Sequence, residues 1–228
     1  MDHARAVTES WERNAANWTA AVRGGLIASR TAGTDDAIVG AIVARKPARL
    51  LDVGCGEGWL VRRVVAATGC EAVGIDGAAR LIADARAADL AGDYRLLDYE
   101  GLVANPAALD GPFDVIAFNY ALFDERAAIV LAATRTLLGP DGGVVVQTLH
   151  PWAALPPGQP YRDGWQREDF AAFGAAQWTP MPWYFRTLGS WYGVLRDAGL
   201  TLVELSEPVS SAGGPPLSLV LVAAASRT

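Results

Sequence analysis

Asp52, Asp76, Asp98 and His150 each end or closely follow a short apolar run, in RLLDV, EAVGID, YRLLD and VVVQTLH. Such runs read as buried parallel strands, whose carboxyl ends share one edge where ligands collect. After Asp52 come Val53-Gly54-Cys55-Gly56-Glu57-Gly58 and then a helical pattern. Glycine at alternate positions lets the backbone turn sharply and lets a ligand lie against bare main chain. The turn leads into a helix whose first N–H groups have no internal partner and can face that ligand. The spacing is G-x-G-x-G, with an acid two residues before the first glycine. That acid suits a cation and would repel the pyrophosphate of a dinucleotide, whose fingerprint is G-x-G-x-x-G. Asp76 falls 22 residues after Gly54, at the end of the next strand. A carboxylate there accepts both hydroxyls of a ribose, or else caps the next helix. His150 follows the fifth strand, and the only other histidine is His3 near the start. A neutral imidazole serves as a base near pH 7, or satisfies backbone groups in a loop.

Periodicity supplies the elements that hold these residues. Val7, Trp11, Asn14, Trp18 and Val22 recur at spacings of three and four, predicting a helix over about 4–23 with these residues on one face. Asn14, between two tryptophans, reads either as the margin of a packed helix or as part of a lid. Residues 26–33 read as a loop carrying Arg30, which either is solvated or pairs with a carboxylate of the ligand. Thr34 reads as the cap of a second helix with Ile38, Ile42 and Val43 inward. Strands follow at 49–53, 71–76, 94–97, 113–118 and 144–149. Between them, Leu60, Val61, Val64 and Val65 mark one helix face, and Ile129, Val130, Ala133 and Leu137 another. A short helix is expected over 102–109, where Asp98 could cap its start, and a turn over 139–143.

From Pro151 to Arg186 the chain carries six prolines and four tryptophans. A segment this long and this aromatic reads as a substrate cap whose rigid walls suit a flat or apolar small molecule, or as a hydrophobic elaboration that packs on itself or forms a dimer contact. Trp152, Trp183 and Tyr184 are its candidate contacts, together with Phe123 after strand four. A helix carrying Leu188, Trp191, Tyr192 and Leu195 and two strands, 201–206 and 217–224, complete the chain.

Composition narrows the field. The 228 residues carry a net charge of −6 with no basic stripe, which opposes a nucleic-acid substrate. No apolar run reaches membrane-spanning length, and the N-terminus lacks the apolar core of a signal peptide. Cys55 and Cys70 are the only cysteines and suggest neither a disulfide framework nor a zinc site, so a cytoplasmic protein is expected. Two histidines far apart make no metal cluster.

LDVGCGEG resembles motif I of class I S-adenosylmethionine-dependent methyltransferases, and LLGPDGG before an apolar strand fits the same pattern. WERNAANW, VGCGEGWL, QTLHPW and MPWYFRTLGSW together resemble a bacterial group of small methyltransferase-like proteins. The resemblance implies an α/β, Rossmann-like seven-stranded sheet of order 3-2-1-4-5-7-6 with the last strand antiparallel. It implies one methyltransferase domain over 1–228: a helical lid over 1–46, a cofactor core over 47–150, a cap over 151–187 and a C-terminal helix and strand pair over 188–228. The cofactor would be S-adenosylmethionine, without a metal, leaving S-adenosylhomocysteine as product. Gly54, Cys55, Gly56 and Gly58 would line its methionine half, with Asp52 placing the ammonium and Arg30 the carboxylate. Asp76 would hold the ribose, Asp98 the adenine amino group and the Tyr99 backbone a ring nitrogen. Asn119, Tyr120 and Trp18 would complete that pocket. The acceptor would be a small molecule methylated on O or N, held by Trp11, Asn14, Phe123, His150, Trp152, Trp183 and Tyr184. His150 is the candidate base, with Tyr184 and Tyr120 as groups orienting the acceptor. The Asp/Asn-Pro-Pro-aromatic signature of nucleobase amine methylation is missing after Asn119. A NAD(P)-dependent oxidoreductase and a non-catalytic binding module stand as alternatives, with a monomer or homodimer expected.

Overall fold

Apolar side chains alternate along the central strands, so each strand feeds two cores. Leu51, Val53, Ile116, Phe118, Val144 and Val146 enter one, while Leu50, Val115, Ala117 and Val145 enter the other. Both faces are therefore covered, which is why these strands read as continuous apolar runs. The structure, a computed structural model, describes residues 3–156, 158–173 and 177–226.

In chain order the elements are α1 (His3–Arg23), a π-helical turn (Arg30–Thr34), α2 (Asp35–Val43), β1 (Arg49–Val53), α3 (Trp59–Thr68), β2 (Glu71–Asp76), α4 (Ala79–Ala88) and β3 (Asp93–Leu96). Then come α5 (Tyr99–Ala104), a 3-10 turn (Pro106–Leu109), β4 (Phe113–Asn119), α6 (Ala127–Arg135), β5 (Leu138–Thr148) and α7 (Pro151–Ala154). The cap holds β6 (Gly164–Glu168), a 3-10 turn (Ala171–Phe173) and β7 (Met181–Phe185), followed by α8 (Leu188–Asp197), β8 (Leu200–Ser206) and β9 (Leu219–Ala225). The main sheet has the order β3-β2-β1-β4-β5-β9-β8, the expected topology once the two cap strands are counted. β1 to β5 are parallel, and β9 runs antiparallel to both its neighbours. Strand order reverses between β1 and β4, which opens a crevice at their carboxyl ends. β6 and β7 pair as a separate antiparallel ribbon where the sequence shows no strand pattern.

Several local expectations change. The buried face of α1 is made of Ser10, Asn14, Ala15, Thr19 and Ala21, so of the predicted stripe only Asn14 is buried. Ala15 packs closely on Ala78 and Leu81, and these small contacts turn Trp11 and Trp18 toward the crevice. Val65 and Ile129, expected inward, are 36% and 55% exposed, because α3 and α6 turn their neighbours Val64 and Val130 to the core. Thr34 does not cap α2: helical backbone runs through it, and its side chain makes no capping hydrogen bond. The 139–143 turn is instead a bulge inside β5, since Phe113 pairs with Leu138 and Val115 already with Gly143. The ring of His3, at the start of α1, stacks on Trp165 at 4.0 Å.

Candidate functional site

The glycine loop is built for close approach. Gly54, Gly56 and Gly58 have φ of +77°, +58° and +82°, a region that disfavours side chains. A Cβ at Gly54 would lie 2.6 Å from Ala121 Cβ, and one at Gly58 2.7 Å from the Tyr94 ring. Gly56 is the open one, facing only Trp18 Nε1 at 3.7 Å. The amides of Gly54 and Cys55 both donate to Ile75 O, at 2.8 and 2.9 Å, which pins the loop to the end of β2. Cys55 is buried, and burial together with Asp52 pushes its thiol well up, so it is an inert wall.

Two carboxylates flank this loop. Asp76 accepts the Gly56 amide at 2.9 Å and the Ala78 amide at 2.8 Å. It thus shapes the loop and starts α4 at once, and an ionised carboxylate, with about four acceptor sites, keeps room for more donors. Burial raises its pKa against the pull of those amides. Asp52 is 1% exposed, and its Oδ1 has no partner. Burial, with the charge of Asp76 added, pushes its pKa up to about 8. An orphaned, buried carboxylate beside a second one is a cost that a bound cation removes, so these residues fit a ligand ammonium. Glu57, the loop's third acid, faces away. It is fully buried, held by Arg62 at 3.0 and 2.9 Å and by Arg23 at 2.8 Å, and so ties the end of α1 to α3.

The other sequence candidates divide. Tyr99 is half-buried under the loop, and its hydroxyl donates to Ala121 O at 2.9 Å. Asp98 caps α5, accepting the Gly101 amide at 2.8 Å. Arg30 is gripped by Asp35 at 2.9 to 3.2 Å and lies 4.1 Å over the Trp59 ring, so its fork is already occupied. Asn119 Oδ1 accepts from Gln147 Nε2 at 2.8 Å, and Gln147 also donates to Thr34 O at 3.0 Å. Tyr120 has φ of +51°, a strained backbone at the lip of the crevice. Burial pushes its hydroxyl up to about 12 against the pull of Ser218 and Thr34. His150 Nδ1 accepts the Trp152 amide at 3.2 Å and Nε2 lies 2.7 Å from Glu207 Oε1. With an amide donating to Nδ1, the ring proton sits on Nε2, and no lone pair is left for a substrate proton. Trp152 is 71% exposed: α7 buries Pro151 and points its neighbour into solvent, so Trp152 is no wall of the crevice.

An aromatic wall joins α1 to the cap. Trp11 meets Trp18 at 5.0 Å, Phe123 at 6.1 Å and Phe170 at 6.0 Å, and Trp18 meets Phe173 at 5.9 Å. Asn14 is neither margin nor free contact. Its amide nitrogen donates to Thr179 O at 2.7 Å and its oxygen accepts from Thr179 N at 2.8 Å, so it stitches helix to cap. Replacing it strands the Thr179 amide, worth about 1–3 kcal/mol when buried unpaired, while Thr179 O keeps the Ser10 hydroxyl at 3.1 Å. Asn14→Ala is expected to lower stability by about 1–3 kcal/mol and to speed hydrogen exchange in α1 and the cap more than in β1 and β4. A melting temperature within a degree of the parent would sink this role.

Sequence reading passed over Glu57, Gln147, Thr179 and Arg186. Only Arg186 left a signal, a lone cation closing the aromatic run Trp183-Tyr184-Phe185. Among the described residues no group of His, Cys, Asp and Glu could hold a metal, and no helix is long and apolar enough to cross a membrane.

Known proteins share this design. A ubiquinone biosynthesis O-methyltransferase of Xylella fastidiosa is 40% identical over 109 residues, 45% of this chain and 42% of that protein. A malonyl-[acyl-carrier protein] O-methyltransferase of Enterobacter lignolyticus is 36% identical over 87 residues, 38% of this chain and 33% of that protein. The chain thus spans less than half the length of these curated relatives. The Burkholderia thailandensis 1,6-didemethyltoxoflavin-N1-methyltransferase, solved with bound 1,6-didemethyltoxoflavin and S-adenosylhomocysteine, superposes with a TM-score of 0.66 at 18% identity, over 99% of this chain and 90% of that one. At that identity the likeness shows the fold. The family model described as "Methyltransferase domain" matches residues 36–205. With most of its length inside that match, the chain belongs to the class I S-adenosylmethionine-dependent methyltransferase family.

Proposed function

We propose that this protein transfers a methyl group from S-adenosylmethionine to an oxygen or nitrogen of a small, flat or apolar acceptor. The observation that carries the reading is Asp52: a fully buried carboxylate with an unused oxygen at the mouth of a bare glycine loop. A cofactor with an ammonium at one end and a ribose at the other matches Asp52 and Asp76 in turn. When bound, S-adenosylmethionine supplies a methyl group already activated by its sulfonium. The protein's share is placement. Asp52 holds the cationic end, Gly56 lets the ligand lie on main chain, and Asp76 fixes the ribose while bracing the loop. Trp11, Trp18 and Phe123 exclude water and steer the acceptor in line. Good orientation supplies roughly 7–11 kcal/mol, so no strong base is required. His150 has no free lone pair here, and the reading assigns it to holding α7 against Glu207.

Calorimetry with S-adenosylmethionine, S-adenosylhomocysteine and NADH tests this directly. The two sulfur compounds are expected to bind in the micromolar range and NADH at least about tenfold more weakly, since a pyrophosphate offers Asp52 no cation. Preference for NADH would overturn the reading in favour of hydride transfer. Cofactor binding without turnover across a broad acceptor screen would favour a non-catalytic binding module.

A further inference from the structure

Among the described residues, Arg186 is a buried cation without a counter-ion. It follows β7, is 3% exposed, and lies within ion-pair distance of no carboxylate among the described residues. Its Nη2 donates to the backbone oxygen of Asp124, while Nη1 is buried with no partner. Of the acids whose charge it feels, Asp124 grips Arg126 at 2.8 and 3.0 Å, Asp163 accepts the Thr187 amide at 2.8 Å, and Glu125 makes no ion pair with it. Its guanidinium lies 4.9 Å from the Tyr184 ring and 5.2 Å from the Trp191 ring. Those ring faces offset part of the burial, yet a guanidinium stays charged and a buried unpaired charge is strongly unfavourable.

Arg186 borders a small cavity of about 10 Å³ whose walls include Phe123, Thr148, Trp183, Tyr184 and Trp191. That is room for about one water-sized atom. Thr148 ends β5 and Phe123 follows β4, so the cavity opens on the same sheet edge as the glycine loop. Phe123 meets Trp11, Trp11 meets Trp18, and Trp18 faces Gly56, so one aromatic wall runs from the cavity to the cofactor loop.

We infer that Arg186 is the acid-recognising point of the acceptor site, taking the carboxylate of a flat, unsaturated or aromatic acid whose body lies along Phe123, Trp183 and Tyr184. The inference rests on the methyltransferase reading and names its substrate class. A carboxylate oxygen in the cavity accepts from the unpaired Nη1 in a charge-assisted hydrogen bond. Space for one oxygen favours a carboxylate over a phosphoryl group, which brings three oxygens. The carboxylate is an anchor, because its pairing with the guanidinium holds it at the Arg186 end. The atom that accepts the methyl group lies at the other end of the molecule, toward Gly56.

The test is selectivity for acids over their neutral amides. Protein saturated with S-adenosylhomocysteine is titrated by calorimetry with benzoate, cinnamate and indole-3-acetate, each against its own amide, and with phenylphosphonate. At least one acid is expected to bind on the order of tenfold tighter than its amide, the effect of a charge-assisted hydrogen bond. Arg186→Gln is expected to abolish that preference while S-adenosylhomocysteine affinity stays within about threefold, and Arg186→Lys to keep part of it. Equal binding of acids and amides by the parent protein overturns the inference and leaves Nη1 satisfied by water; this arm decides even if the variants do not fold. A preference that survives in Arg186→Gln overturns it too, and tighter binding of phenylphosphonate replaces the carboxylate by a phosphoryl group. Failure of S-adenosylhomocysteine to bind the parent protein would instead sink the cofactor reading. The acid titrations, repeated without it, would still report on Arg186.

Discussion

Asp76→Ala is expected to weaken S-adenosylhomocysteine binding by about 10² to 10⁴-fold. Two ribose hydroxyls donating to one ionised carboxylate contribute about 1.5–3 kcal/mol each, and about 1.4 kcal/mol is a factor of ten in affinity. The same carboxylate fixes the Gly56 amide at 2.9 Å, so its loss also loosens the surface on which the ligand lies. The fold itself should survive, because the Ala78 amide at the start of α4 can turn to water. Asp98→Ala makes the informative comparison. Asp98 caps α5 through the Gly101 amide, so its removal is expected to cost about 1 kcal/mol of stability. Calorimetry and thermal melts on both variants separate binding from folding. Undiminished affinity in Asp76→Ala would remove the ribose assignment.

Cofactor affinity is expected to rise with pH, and Asp52→Asn to flatten that rise while weakening binding. In the unliganded protein the Asp52 carboxyl is pushed up to about 8 from an ordinary value of 3.8. The folded state therefore holds a proton that the unfolded chain releases. Its contribution to stability is full below about pH 4 and is lost as pH rises through about 8. An ammonium needs the opposite form, the bare carboxylate, so binding must expel the proton. Between about pH 5.5 and 7.5 the ligand's α-ammonium stays charged, since such groups lose their proton near 7.7–8.0. Over that window S-adenosylmethionine affinity should climb by up to about tenfold per pH unit. Close to one proton should appear in solution per cofactor bound, read by calorimetry in buffers of different ionisation heat. A flat profile with no proton released would mean that Asp52 does not face the cation.

Much of this design is local and could be read from residue types alone. Periodicity and glycine placement mark the strands through β5, because a strand covered on both faces is apolar throughout and a turn with positive φ favours glycine, while their order is implied by the family resemblance. Asp52, Gly54, Gly56, Gly58 and Asp76 converge on one edge because carboxyl ends of neighbouring parallel strands lie side by side. The amphipathic stripe of α1 misled because tryptophans are large enough to dominate any pattern. Its true contact face is set by small side chains that allow α4 to come close.

The sequence by itself determined the β-α-β core and the chemistry of its glycine loop, since both are written in residues adjacent along the chain. Tertiary structure decided which polar groups remain free to meet a ligand. Arg30 carries the right charge for a carboxylate, but Asp35 takes its fork. His150 is the residue type for a base, but Glu207 and the Trp152 amide occupy its two nitrogens. Arg186 drew no attention in an aromatic run, yet its Nη1 is buried and unpaired. Whether a donor or acceptor is spent depends on partners up to 165 residues away, as with Asn14 and Thr179. Spacing along the chain does not encode such pairings, and only the packed fold reveals them.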